Sequence, residues 1–136
     1  IYNNKMKGFY MKDTILVYRL PEYIKSKIQS IGKDLDIAID EIDPHDIHQT
    51  IGYLLHLEGY QRQSQSSILT MMQEPFVFFA LQKDNQLELL LQLFRLKGIP
   101  FIPYKAVLTQ HNVNYTFSQL YQSVAKEYSY MTQKPQ

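Results

Sequence analysis

Apolar positions along this chain fall into alternating blocks of strand-like and helix-like spacing. Thr14–Leu20 (TILVYRL) is a short run rich in β-formers and reads as a first strand. Pro21 follows where a helix start tolerates proline, because an N–H there has no intrahelical acceptor. Ile24, Ile28 and Ile31 then repeat at helical spacing towards Gly32, which predicts a helix near 21–33. Ile37–Ile42 reads as a second strand, broken by Asp43-Pro44. Ile47, Ile51, Leu54 and Leu55 share one helical face, which predicts a helix near 46–58 with Asp46 as its cap and Gln49 closing the box. Residues 58–67 (EGYQRQSQSS) are the least apolar stretch and read as a surface loop, or a frayed helix end, between two halves.

The second half repeats the order. Pro75–Leu81 (PFVFFAL) is almost wholly apolar, as expected of an internal strand covered on both faces. Asn85-Gln86-Leu87-Glu88 has the form of a capping box, and Leu87, Leu90, Leu91 and Phe94 carry a helix near 84–98 to Gly98. Phe101–Leu108 reads as the fourth strand, with Ile102, Tyr104, Ala106 and Leu108 as its core face and Lys105 on the other. Thr116-Phe117-Ser118-Gln119 is a second box, opening a helix near 116–130. The fold class is therefore α/β: a four-stranded, at least partly parallel sheet in βαβα-βαβα order, with halves 11–58 and 74–131 forming a structural pseudo-repeat in one domain, 11–132. A ferredoxin-like arrangement with an extra helix is the alternative. Residues 1–10 read as a disordered or artificial tail, with Met6 and Met11 as candidate native starts.

Composition narrows function mainly by exclusion. Net charge is +1 and evenly spread, with eight Lys/Arg against nine Asp/Glu in residues 1–72 and six against four in 73–136. That balance points away from nucleic acid and from an anionic membrane. No cysteine is present, which removes disulfides, thiolate catalysis and Cys-ligated metals and fits a reducing, cytoplasmic setting. No apolar run approaches the roughly 20 residues of a membrane span. Phosphate loops, dinucleotide fingerprints and the Gly-x-Ser-x-Gly elbow are all missing from the five-glycine sequence, and no cofactor is implied.

The run GIPFIPYKAVLT followed by QHNVNYTFSQLYQSVAKEYSYM resembles a bacterial family catalogued as a domain of unknown function, over about residues 74–131. Gly98, Ile99, Pro100, Lys105, Ala106, Val107, Thr109, Asn112, Tyr115 and Glu127 carry the pattern, with Tyr115 where Trp is expected. The resemblance implies no activity.

Three sets of residues are candidates for chemistry. His45, Asp46 and His48, beside Asp43-Pro44, have the ligand types for a divalent metal, although a metal normally needs three or four convergent ligands. Thr109, His111 and Asn112 occupy the corresponding loop of the second half. In a parallel sheet both loops project from the carboxyl ends of strands, where α/β folds bind ligands. Lys105 is a candidate anion holder near the start of the final helix, which has no acidic residue to compete. The leading reading is a non-catalytic binding or protein-interaction module, with a second copy of itself or an unidentified protein as partner. The alternative is a small-ligand or metal-dependent enzyme using the polar loops 43–48 and 109–115.

Overall fold

Strand β1 (Thr14–Tyr18) is buried along its whole length. In the computed structural model, which describes residues 11–64 and 72–133, its β-branched and aromatic side chains face two different apolar layers. Pro21 caps helix α1 (Glu22–Leu35), and its carbonyl accepts from Ile24 N and Lys25 N at 3.0 Å each. β2 (Ala38–Glu41), a 3₁₀ turn (Pro44–Asp46) and the one-turn helix α2 (Ile51–Leu54) complete the first half. β3 (Phe76–Ala80), α3 (Gln86–Leu96), β4 (Lys105–Val107), a 3₁₀ turn (Asn112–Asn114) and α4 (Phe117–Gln133) make the second. The expected tail 1–10 and the last part of the expected polar loop, 65–67, lie outside the described residues.

The sheet order is β2-β1-β3-β4. β1·β2 and β3·β4 are parallel, and β1·β3 is antiparallel, with Leu16 opposite Phe78. The sheet is thus two parallel βαβ units joined back to back, and β3 is internal as its apolar run requires. Ile15, Val17, Val77 and Phe79 point to one layer with Ile24, Ile28, Leu90 and Phe94 of α1 and α3. Leu16, Tyr18, Phe76 and Phe78 point to the other with Ile51, Phe117 and Tyr121. In that second layer Phe117 meets Tyr18 and Phe76 edge-on, with ring centroids 5.0 and 5.2 Å apart.

Three local expectations change. The helix expected over 46–58 is one turn only. Asp43 caps the preceding 3₁₀ turn and Thr50 caps α2, so two N-caps split the stretch; Asp46 caps nothing. The strand expected over 101–108 shrinks to 105–107, because Pro103 has no N–H to give a ladder and Pro100 lies in the same irregular connection. Asn85 makes no side-chain cap. The Gln86 amide instead donates to Asp13 Oδ2 at 2.8 Å and accepts from Lys83 N at 3.1 Å.

The halves are related by an approximate two-fold axis. Thr14 corresponds to Phe76, 62 residues on, and the same offset holds to the ends of the first two long helices. Both helices end in one motif: Asp36 and Gly98 take the left-handed conformation (φ 57° and 79°), and Ile37 N and Ile99 N donate to Gly32 O and Phe94 O. Beyond that point the offset becomes 66. Ile39 pairs with Ile15 as Lys105 pairs with Val77, and Thr50 bridges Thr116. Pro100–Pro103 are the four residues without a counterpart.

Candidate functional site

The two polar loops come together on the α2/α4 side of the sheet, but not as carboxyl-end neighbours. The central antiparallel pair sends β2 and β4 in opposite directions, so their loops leave opposite ends of the sheet and return beneath it. They meet at the Thr50–Thr116 bridge, where Ile51 N donates to Tyr115 O at 2.8 Å and Phe117 N to Gln49 O at 3.0 Å. Each threonine also starts a helix. Thr50 Oγ1 accepts from Tyr53 N, and Thr116 Oγ1 accepts from Gln119 N at 3.1 Å while Gln119 Oε1 accepts from Thr116 N at 2.8 Å. The second of these is the reciprocal box expected from the sequence.

Among the loop side chains, Asp43, Thr109 and Asn112 hold backbone. Asp43 Oδ1 accepts from His45 N at 2.8 Å and lies 3.0 Å from His45 Nδ1, which holds the Asp43 carboxyl below its usual pKa. Asp46 pairs with Arg62 at 2.7 Å, and His48 is half-buried. Among the described residues no three His, Asp or Glu side chains are grouped to hold a metal ion. In the second loop Thr109 Oγ1 accepts from His111 N and Asn112 N at 3.2 and 3.0 Å. Asn112 is buried, accepts from Thr109 N at 2.9 Å and donates to Val107 O at 2.8 Å, so both ends of its amide are used. His111 is exposed. Gln49, unremarked in sequence beyond a capping role, is fully buried and clamps residue 63 by two 2.8 Å bonds to its backbone.

Lys105 lies elsewhere. Strand alternation puts Lys105 and Val107 on the α3 side, away from Ala106 and from α4, so the expected place beside the final helix is corrected. Its expected exposed face is in fact half-covered. Lys105 lines a cavity of about 280 Å³ with Val77, Phe79, Phe94, Arg95 and Ile99. Its Nζ donates to Ile102 O at 2.8 Å and sits 4.2 Å from the centre of the Phe101 ring. Burial lowers the Lys105 pKa from the usual lysine value. The sequence signal for this cavity is the pair Pro100 and Pro103, which break a strand that otherwise reads as continuous.

Residues 75–131 match the family described as a domain of unknown function, DUF3783. The matched stretch runs from the start of β3 to near the end of α4, so it is one complete half of the pseudo-symmetric fold. No curated protein and no solved structure matches the chain. No helix among the described residues is long and apolar enough to cross a membrane.

Proposed function

We propose that the chain is a non-catalytic interaction module whose partner is a second copy of itself, met across the outer face of α3. The observation that supports this reading is a stripe of large apolar side chains in water. Leu89 and Leu96 are 58% and 83% exposed, and Leu35 of α1 beside them is 48% exposed. With Leu93 they edge a shallow groove between α1 and α3. Clustered exposure of this kind marks contact surfaces more often than scattered single residues do.

The charge order along α3 selects the occupant. Glu88 and Arg95 lie seven residues apart, two helical turns on one side of the leucine stripe. An antiparallel pair of copies sets Glu88 of each against Arg95 of the other, twice, while Leu89 and Leu96 meet across the seam. A parallel pair sets like charges together. The helix is about 16 Å long, so the paired face is small and the expected association is weak and reversible. In the loops 43–48 and 109–115, on which an enzymatic reading rests, Asp43, Thr109 and Asn112 are spent on backbone turns. Sedimentation across a wide protein concentration range tests the proposal. Dimerisation should weaken in Glu88→Arg and in Arg95→Glu and return in the double variant. A monomer at every concentration, or a double variant as impaired as the singles, would sink it.

A further inference from the structure

The departure from two-fold symmetry at β4 carries an inference that does not depend on self-association. In the first half, one residue, Ala38, separates the helix-ending Ile37 from Ile39. Ile39 then packs on Gly32 so closely that a Cβ added there would lie 2.6 Å from Ile39 Cγ1. That half of the layer is filled. In the second half the corresponding helix-ending residue is Ile99, and five residues separate it from Lys105. Four of them, Pro100, Phe101, Ile102 and Pro103, are additional, and three of those wall the cavity. A lysine therefore occupies the position that holds a half-buried isoleucine, packed against the core, in the other half, and a cavity stands where the other half is packed.

A lysine in a layer between sheet and helix is unfavourable unless something offsets its desolvation. Ile102 O takes one of its three ammonium donors, and the face of Phe101 adds a cation–π contact. Both partners come from the four-residue insertion. Lys105 shares the cavity lining with Val77, Phe79, Leu91 and Phe94, and Arg95 is the other charged residue of the described lining. An occupant that fits has an apolar body and one negative oxygen group.

We infer that this cavity is a binding site for a small apolar monocarboxylate, its tail against Phe79, Leu91 and Phe94 and its carboxylate on Lys105. No bond is made or broken; the interaction is a charge-assisted hydrogen bond in an apolar setting, which is stronger than the same contact in water. The sign of the pH dependence follows. The carboxylate needs the ammonium form of Lys105, and burial makes that form give up its proton at lower pH than a solvated lysine does. Affinity is therefore full near neutrality and falls as the pH rises towards the ordinary lysine range.

Titration of the full chain with octanoate, followed by calorimetry and by amide NMR shifts, tests the site. Saturable binding is expected, with shifts centred on Phe101, Ile102 and Lys105. Octylammonium, of equal apolar length and opposite charge, should bind at least tenfold more weakly. Lys105→Met, which keeps the length of the side chain, should lose tenfold or more in octanoate affinity while keeping any octanol affinity. In the unaltered protein, octanoate affinity should fall between pH 7 and pH 10, which keeps the test decisive if the variant folds poorly. Absence of saturable octanoate binding, octylammonium binding as tight as octanoate, or a flat pH response would each overturn the inference.

Discussion

Replacing Asn112 separates a ligand-binding loop from a structural one. Its amide closes the turn after β4 by accepting from Thr109 N and donating to Val107 O, and the residue is 8% exposed. Asn112→Ala removes both bonds, each worth about 0.5–1.5 kcal/mol net, and strands an N–H and a carbonyl. Thr109 and Val107 are half-buried, so water reaches the stranded groups in part and the total cost sits near 2 kcal/mol rather than at the upper end. For a chain of this length 1 kcal/mol moves the melting temperature by about 4 °C, so the expected drop is about 8 °C. Asn112→Asp keeps the acceptor and should fall between. His111 next to it is exposed, and His111→Ala should stay within about 0.5 kcal/mol of the parent. Far-UV circular dichroism melts of the three variants, under one set of conditions, make the comparison. An Asn112→Ala melt within 2 °C of the parent, or a His111→Ala melt equally depressed, would refute the structural account of the turn.

Two other substitutions probe the pseudo-symmetric frame. Thr116→Ala removes the hydroxyl that accepts from Gln119 N and should cost about 1 kcal/mol in urea denaturation. Gly32→Ala drives a methyl to 2.6 Å from Ile39 Cγ1 and 2.7 Å from Ile37 O, the second a backbone atom that yields little. A loss of about 1–3 kcal/mol is expected, and an unchanged denaturation midpoint would show that α1 sits further from β2 than described.

Much of the fold was legible because burial writes a strong pattern. The fully apolar PFVFFAL run placed β3 inside the sheet, and the Ile24, Ile28, Ile31 spacing placed α1. Strand direction was not legible, because the antiparallel β1·β3 pairing is decided by the whole layer around Leu16 and Phe78 and by no local signal. The 46–58 stretch misled because its apolar spacing suits a helix while Asp43 and Thr50, fifteen and eight residues before its far end, each open a separate turn. The pseudo-repeat was visible only in outline. A comparison at one fixed offset hides it, since the four-residue insertion changes the offset from 62 to 66 part-way along. With that shift, His45 falls on His111, Ile47 on Val113 and Thr50 on Thr116. Of the candidate site residues, Lys105 was noticed for the wrong neighbour: alternation located its face, but which helix covers that face is a matter of topology.

The symmetry also separates residues that shape the fold from residues free to do something else. Asp43 and Thr109 each open a turn by accepting from a histidine N–H two residues on, and Thr50 and Thr116 each cap a helix across one bridge. A role met in both halves is explained by the architecture, which needs each loop to turn back beneath the sheet. His45, His111 and their neighbours therefore give little reason to look for chemistry. Features present in only one half have no such explanation. The insertion Pro100–Pro103, Lys105 in place of Ile39, and the exposed leucines of α3 all belong to the second half. Gly32 at the matching point of α1 is replaced by Phe94, whose ring packs towards Phe79 of β3. One half of the frame is packed closed and the other is built open, with a cation at the opening. That contrast, more than any single residue type, is why the edge between α3 and β4 is the place to look for function.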